Sequence, residues 1–186
     1  MRKIDLYTVE SIDGYIADKN GNVSFLRGEG HEAGIDSGRL FEKFFKNIDI
    51  VVMGRHTYDN IVNENIPNNW PCAGKITYVL TSHPGESNDE IIFYHHDALQ
   101  LLQDLREGCG KDIWVVGGPK VIHDAINADI VDNYYLSTVP FILGSGIRLF
   151  SDQLDNQISL DLIKSYAHDG IITSHYVKAK ATKEIE

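Results

Sequence analysis

The chain has 186 residues, of which 42% are hydrophobic and 24% charged, and its formal net charge is −10. This composition is that of one ordinary globular domain, and no apolar run approaches the roughly 20 residues that a membrane-spanning helix needs. The basic residues form no stripe, which argues against nucleic acid as the main partner. Asp5 interrupts the apolar start of the chain and no cleavage site follows, so the start predicts a first strand, not a signal peptide.

The cysteines and histidines show which metal sites and disulfides the sequence could form. Cys72 and Cys109 are the two cysteines, and neither has the spacing of a metal site. Two thiols form no disulfide framework, so a reducing cytoplasm is the expected location. His95 and His96 are adjacent at the end of a predicted strand, and their side chains should point to opposite faces. No further metal-type spacing accompanies them, and we expect no metal site.

Short apolar runs alternate with amphipathic segments along the chain. The expected strands are residues 4–9, 49–53, 76–80, 91–94, 113–116 and 133–136. Three amphipathic segments predict helices, and Asp97 is the expected N-cap of the second. The apolar face of the first is Leu40, Phe41, Phe44, Phe45 and Ile48, that of the second is Ala98, Leu101, Leu102 and Leu105, and that of the third is Val121, Ile122, Ala125 and Ile126. This alternation predicts an α/β fold, with a mainly parallel sheet and helices on both faces.

The pattern changes near the end of the chain. Residues 158–166 and 171–177 are strand-like runs on either side of His168-Asp169-Gly170, which is a tight-turn sequence, and together they predict an antiparallel hairpin. Residues 179–186 are polar and are expected to form a frayed tail. Because no repeat, low-complexity tract or linker divides the remainder, residues 1–178 are expected to form a single domain.

The first of three informative strand ends is followed by glycine and cations. Gly54 allows a sharp turn into a helix whose free N–H groups can meet an anion, and Arg55 and His56 add positive charge there. The helix dipole disfavours cations at this end, and a bound phosphate would resolve that conflict. An ordinary helix start with a surface Arg55 and a capping Thr57 is the alternative.

The other two strand ends carry hydroxyls and glycines. Thr81-Ser82-His83-Pro84 offers hydroxyls that can donate to phosphate or ribose oxygens, although such residues are also common in turns. Gly117-Gly118-Pro119-Lys120 permits close approach of the backbone to a ligand, but it is also a plain strand–helix turn. Since parallel strands end at one edge of a sheet, a molecule with several phosphates spread along that edge would use all three segments.

These three segments, in this order, resemble the dihydrofolate reductase superfamily. The chain is most similar to the C-terminal reductase domain of the bifunctional riboflavin-biosynthesis deaminase–reductase and its stand-alone bacterial relatives. Ser11-Ile12-Asp13-Gly14-Tyr15-Ile16-Ala17 is similar to an early loop motif of that domain, and residues 139–150 are similar to its late strand–loop signature. The resemblance covers nearly the whole chain and implies a dihydrofolate-reductase-like fold, with the C-terminal hairpin attached to the mostly parallel sheet.

The resemblance implies NADPH as the cofactor, held along the sheet edge. The segment from Gly54 to Thr57 would face the 2′-phosphate and pyrophosphate side, and the Arg55 guanidinium can pair bidentately with phosphate. The second segment would lie around the adenosine, the third would cradle the pyrophosphate, and backbone groups near the first strand would meet the nicotinamide. The implied cofactor-binding residues are Val9, Ile16, Ala17, Gly54, Arg55, His56, Thr57, Thr81, Ser82, His83, Gly117, Gly118, Pro119, Lys120 and Val121.

One carboxylate is the candidate catalytic residue. In dihydrofolate reductases a carboxylate near the start of the second helical element binds the pterin ring, and Asp36, with Glu32 behind it, is the positional match. The alternative is that Asp36 caps the helix together with Ser37, a role that both residue types favour. The loop of residues 20–37 is glycine-rich and departs from the family pattern, which counts against folate reduction.

The candidate substrate-binding residues are Asp13, Phe25, Phe41 and Ser137. Each has a structural alternative. Asp13 orients the loop or forms an Asx-turn, and aromatic residues at helical spacing are more often core, which is where Phe44 is assigned. Ser137 lies on the strand expected beside the third segment, and it either touches substrate or is a polar residue on an edge of the sheet.

The leading hypothesis is therefore an NADPH-dependent reductase of a small heteroaromatic molecule, similar to 5-amino-6-(5-phosphoribosylamino)uracil or to a dihydropterin. A catalytically inactive NADP(H)-binding protein that serves as a sensor or partner subunit is the alternative, because a fold does not guarantee its chemistry. A flavodoxin-like FMN binder is a third hypothesis, and the terminal hairpin counts against it. The family likeness also implies a homodimer.

Overall fold

The computed structural model describes residues 1–27, 39–65, 70–83, 85–150, 154, 157–168 and 170–179. Strands and helices alternate through these ranges. In chain order the elements are β1 (Ile4–Ser11), β2 (Tyr15–Ala17), a 3₁₀-helix (Ser24–Arg27), α1 (Arg39–Lys46), β3 (Ile48–Gly54), α2 (Arg55–Asn65), β4 (Ile76–Leu80), β5 (Ile91–Tyr94), α3 (Ala98–Glu107), β6 (Asp112–Gly117), α4 (Pro119–Asn127), β7 (Asn133–Val139), β8 (Ile147–Arg148), β9 (Leu160–His168) and β10 (Ile171–Lys178).

Eight of these strands form one sheet in the order β5-β4-β3-β6-β1-β7-β10-β9. The strands from β5 to β7 in this order are all parallel, and β10 runs antiparallel to both β7 and β9. The short strands β2 and β8 form a separate antiparallel pair, which the sequence analysis did not predict. The predicted α/β fold, with a mostly parallel sheet and a C-terminal antiparallel hairpin, is confirmed.

Helices cover both faces of the sheet because neighbouring residues of a strand point to opposite faces. Val52 belongs to a core cluster that includes Leu102 of α3 and Ile122 of α4. Val51 belongs to a second cluster on the other face, which includes Phe44 of α1. Across the described residues, none of the helices is both long enough and apolar enough to span a bilayer.

The local helix signals agree with the structure at α3 and α4. The Asp97 side chain accepts a hydrogen bond from the Gln100 N–H at 2.8 Å, as an N-cap should. The apolar face predicted for the third helix is buried in α4. Both helices therefore follow from residues that lie close together in the sequence.

Two positional expectations were wrong. Ile48 was assigned to a helix face but begins β3, because α1 ends at Lys46 and the strand pattern continues back to this residue. Ser137 was expected on a strand beside β6 or at an edge of the sheet. Its strand, β7, lies between β1 and β10, so β1 separates it from β6. Apolar patterning marks a strand but does not specify its neighbours.

Asp5 is a buried carboxyl group near the amino end of β1, with 3% of its surface exposed. Asn133 Nδ2 donates to Asp5 Oδ1 at 2.6 Å, and Asn133 Oδ1 lies 3.0 Å from His175 Nε2. Burial raises the pKa of Asp5 to about 7, against the opposing effect of the Asn133 hydrogen bond. Because the folded pKa exceeds the unfolded value, the contribution of Asp5 to stability is fully present below the unfolded pKa and is lost as the pH rises through about 7.

We expect Asp5→Asn to flatten this pH dependence. Each unit of pKa difference corresponds to about 1.4 kcal/mol, so the native protein should lose about 2 kcal/mol of unfolding free energy between pH 5 and pH 7.5 through this group. Urea unfolding of both proteins at the two pH values measures the difference. Equal losses in the native and variant proteins would contradict a raised Asp5 pKa.

Candidate functional site

The ends of β3, β4 and β6 lie side by side at the carboxyl edge of the sheet. Gly54 is paired with Leu80, so Thr81 begins the next loop directly beside it. On the other side of β3, Met53 is paired with Gly117. The structure thus brings together the three segments that the sequence analysis singled out.

The glycines of this edge allow the end of β3 and the turn between β6 and α4 to approach each other closely. A Cβ atom on Gly118 would lie 3.3 Å from Gly54 Cα, and Gly118 has a φ of +91°, a region that L-residues rarely adopt. A Cβ atom on Gly117 would lie 3.4 Å from Thr57 Oγ1. Side chains at positions 117 and 118 would therefore crowd the end of β3 and the first turn of α2.

Two helices begin at this edge and direct backbone N–H groups towards it. Helix α2 starts at Arg55 directly after β3, and α4 starts at Pro119. The N–H of Ile122 bonds to the Gly118 carbonyl at 3.1 Å, so the N–H groups of Lys120 and Val121 precede the helical ladder. The Val121 side chain is buried in the core, which leaves its backbone for any ligand contact. Both helix ends suit anions.

The two cations at these helix starts each pair with an aspartate one turn further along. Arg55 Nε donates to Asp59 Oδ1 at 2.8 Å, and Lys120 Nζ donates to Asp124 Oδ2 at 2.6 Å. The sequence predicted an unfavourable interaction between the Arg55 cation and the helix dipole, and the Asp59 carboxylate offsets part of it. Asp59 is a residue that the sequence analysis missed, although its spacing from Arg55 was a usable signal.

The second segment is ordered by its own hydroxyl groups. The His83 N–H donates to Thr81 Oγ1 at 3.0 Å, and Ser82 Oγ lies 3.2 Å from His83 Nδ1. His95 Nδ1, from the adjacent β5 end, lies 3.1 Å from the Thr81 carbonyl oxygen. These bonds match the turn role of Thr81 and Ser82, and their contact with an adenosine stays a prediction.

The sheet ladder ends early between β1 and β6. Pairing between these strands stops at Leu6 with Val115, whereas β1 remains paired with β7 as far as Ser11 with Val139. The carboxyl end of β1, which includes Val9, therefore has no strand partner on its β6 side within the described residues. Backbone groups freed in this way can bond to a ligand.

Asp13 joins the turn after β1 to the loop before β8. Its carboxylate accepts hydrogen bonds from Ser11 Oγ at 2.7 Å, from the Gly144 N–H at 2.7 Å and from the Leu143 N–H at 3.1 Å. These bonds, with that from Ser11 first, lower the pKa of Asp13 to about 2. The contacts give Asp13 a loop-ordering role, and its contact with substrate stays a prediction.

The predicted nicotinamide neighbours Ile16 and Ala17 lie on β2. Ile16 packs against the core cluster that contains Val52 and Ile122, and Ala17 is buried. A Cβ atom on Gly146 would overlap the Ala17 carbonyl oxygen, so the loop before β8 lies directly against β2. The early and late loop motifs are therefore in contact.

The other substrate candidates have partners inside the protein. Ser137 is 5% exposed, and its Oγ lies 2.8 Å from Thr173 Oγ1 of β10. Phe41 is half-buried in the aromatic cluster of α1, and Phe25 meets Phe141 edge-on at 6.3 Å. Phe44 is core, as predicted. Ser137 is also paired with Val9, so one substrate candidate does adjoin one cofactor candidate.

Asp36 and Glu32, the candidate catalytic carboxylates, lie outside the described residues. Glu10 is a half-buried carboxylate at the carboxyl end of β1, where burial raises its pKa. A Cβ atom on Gly14 would lie 3.9 Å from Glu10 Oε2. Alternation along a strand predicts an ordinary polar residue at this position, so sequence reasoning passed over Glu10.

Phe93 and Gly85 were also missed. The Arg55 guanidinium carbon lies 5.3 Å from the centre of the Phe93 ring, and a Cβ atom on Gly85 would overlap that ring. No local pattern links positions 55, 85 and 93, because the contact arises from the pairing of β4 with β5.

Sequence comparison identifies relatives along nearly the whole chain. The sequence profile of the RibD C-terminal domain matches residues 2–173. A curated relative, the uncharacterized protein YwjB of Bacillus subtilis (strain 168), is 32% identical over 182 residues, which cover 96% of this chain and 99% of YwjB.

Solved structures share the fold. A putative riboflavin biosynthesis protein from Shewanella sp. PV-4 is similar with a TM-score of 0.79 at 26% identity, covering 97% of this chain and 100% of that chain. Dihydrofolate reductase from Enterococcus faecalis, solved with NADP(H) and RAB-propyl, is similar in fold with a TM-score of 0.64 at 17% identity, covering 96% of this chain and 97% of that chain. The chain therefore belongs to the RibD C-terminal domain family and has the dihydrofolate-reductase-like fold that its sequence predicted.

Proposed function

We propose that the protein is a cytoplasmic reductase that uses NADPH to reduce a small heteroaromatic molecule. The observation that carries this proposal is the meeting of Gly54, Thr81 and Gly117 at one edge of the sheet, where two helices also begin. Several anion-binding features along one edge match an extended dinucleotide with a pyrophosphate and a further phosphate. Cys72 and Cys109 are free thiols, which is consistent with a reducing compartment.

The residues present fit the cofactor in shape and charge. Gly117 and Gly118 carry no side chains that would keep a ligand from their backbone, and the Lys120 and Val121 N–H groups, which precede the helical ladder of α4, would bind a pyrophosphate there. Arg55 would hold the 2′-phosphate, since a guanidinium matches phosphate geometry. The fold is also that of a dihydrofolate reductase solved with NADP(H).

The chemistry divides between cofactor and protein. NADPH supplies the hydride, and the protein orients the partners and excludes water. The β6-facing side of β1 near Val9 offers backbone groups that would hold the nicotinamide carboxamide beside the substrate. Asp13 orders the two loops next to this region through its three hydrogen bonds. Asp36 remains the proposed substrate carboxylate.

The proposed substrate is a ribosylated aminopyrimidine similar to 5-amino-6-(5-phosphoribosylamino)uracil, with a dihydropterin second. Family membership and the similarity to a putative riboflavin biosynthesis protein support the first. The experiment is NADPH oxidation with a panel of aminopyrimidines, pterins and simple carbonyl compounds, together with a binding titration. Turnover with an aminopyrimidine is the expected result. Tight NADPH binding without any turnover would favour a non-catalytic NADP(H)-binding protein, and absence of binding would reject both.

We also propose that the protein is a homodimer that associates through its terminal hairpin. Strand β9 forms one edge of the sheet. Exposed apolar side chains on this hairpin are Leu162 (54%), Ile163 (49%), Tyr166 (43%) and Ile172 (52%). A long edge strand that exposes apolar side chains is prone to pair with another chain, and this edge would bury those side chains against a second copy.

Leu162→Asp is expected to weaken this dimer at least about tenfold, because it places a charge in an apolar contact. Light scattering at micromolar protein concentration gives the mass of each variant. Val62→Asp is the matched control, since Val62 is 44% exposed on α2, away from the hairpin. A native protein that is monomeric under these conditions would dispose of the proposal.

A further inference from the structure

Arg55 is held on two sides by groups of the protein itself. Its Nε donates to Asp59 Oδ1 at 2.8 Å, and its guanidinium carbon lies 5.3 Å from the centre of the Phe93 ring. Within the described part of the chain, the hydrogen bond of the Arg55 side chain is made by Nε, and Nη1 and Nη2 make none. The side chain is 37% exposed, so part of the guanidinium is open to solvent.

Phe93 ties this arrangement to the loop that follows β4. Gly85, in that loop, lies so close to the ring that a Cβ atom there would overlap Phe93 Cγ. Tyr58, on the same helix as Arg55, meets the ring edge-on with 5.4 Å between centroids. The ring is therefore packed by α2 and by the loop, and it gives Arg55 a fixed flat surface.

The geometry of a guanidinium determines which Arg55 donors remain for a phosphate once Asp59 and Phe93 hold the side chain. Its donors form a rigid planar fork, and one that pairs through Nε retains the edge formed by Nη1 and Nη2. Contact with an aromatic face restricts rotation of the plane. Ordering one long side chain costs about two- to tenfold in affinity when binding has to supply it. Arg55 is ordered by Asp59 and Phe93 before any phosphate arrives.

We propose that Asp59 and Phe93 are positioning residues that set the preference for NADPH over NADH. They orient the Nη1 and Nη2 edge of Arg55 for bidentate pairing with the 2′-phosphate, a group that NADH lacks. The inference rests on the proposed function, because it concerns the same cofactor site. The Asp59 charge itself opposes a phosphate, but both side chains of the pair are 37% exposed and solvent partly screens that charge, so the gain from positioning is the larger effect.

The test measures the dissociation constant of NADH divided by that of NADPH, by fluorescence titration of the full chain. Asp59→Ala and Phe93→Leu should each lower this ratio by about three- to tenfold and change NADH affinity by less than about twofold. Asp59→Asn keeps an acceptor for Nε, and Phe93→Tyr keeps the flat ring. Both controls should hold the native ratio to within about twofold. A purely structural role would weaken both cofactors equally and leave the ratio unchanged.

The outcomes separate this inference from the proposed function. A native protein that prefers NADPH through Arg55, with an unchanged or increased ratio in Asp59→Ala and Phe93→Leu, would overturn the inference alone. A ratio that falls as far in Asp59→Asn as in Asp59→Ala would assign the effect to charge and also overturn it. A native protein that binds neither dinucleotide would overturn the proposed function and the inference together. Thermal unfolding of each variant confirms that the measured protein is folded.

Discussion

Arg55→Ala is expected to weaken NADPH binding by about 10- to 100-fold and NADH binding by less than about threefold. A hydrogen-bonded pair with a charged group contributes about 1.5–3 kcal/mol, and each 1.4 kcal/mol is about tenfold in affinity. NADH has no 2′-phosphate, so the loss of Arg55 should leave it little affected. Titration of the native and variant proteins with both dinucleotides measures the two effects.

Lys120→Ala is the matched control for Arg55→Ala. Lys120 is also a cation at a helix start on this edge, and it also pairs with an aspartate, but its side chain is 85% exposed. We expect a loss of less than about threefold, shared by NADPH and NADH, because exposed and screened charges contribute little. A loss in Arg55→Ala that is equal for both cofactors, or no loss at all, would reject the assignment of Arg55 to the 2′-phosphate.

Gly118→Ala is expected to lower the unfolding free energy by about 1–3 kcal/mol and to weaken NADPH binding at least about tenfold. Its φ of +91° is unfavourable for alanine, and its Cβ atom would lie 3.3 Å from Gly54 Cα and 3.4 Å from Gly54 N. These are backbone atoms of the neighbouring strand end, so relief requires the end of β3 and the turn between β6 and α4 to move apart. The same displacement would disturb the N–H groups at the start of α4.

Gly74→Ala separates backbone strain from crowding. Gly74 has a φ of +77°, but a Cβ atom there would meet nothing within 4 Å. It should cost about 1 kcal/mol in urea unfolding and leave NADPH affinity unchanged. If Gly118→Ala binds NADPH as well as Gly74→Ala does, the turn between β6 and α4 is not part of the cofactor site.

Several features of this protein follow from residues that are close together in the chain. The Asp97 cap, the buried face of α4 and the terminal hairpin were predicted correctly because capping, the 3.6-residue helical period and turn sequences act over a few residues. The shared edge at Gly54, Thr81 and Gly117 was predicted for a related reason. Consecutive parallel strands must end on the same side of a sheet, so local assignments of strands sufficed to place their loops together.

The neighbours of each strand, and therefore the partners of most polar side chains, were decided by the tertiary structure. β7 lies between β1 and β10, which places Ser137 in the interior of the sheet beside Thr173. Asp13 bonds to N–H groups about 130 residues away in the chain. Arg55 meets Phe93 across α2 and β5. Hydrophobic periodicity reports which face of an element is buried but not what it is buried against, so such contacts exist only once the sheet has assembled.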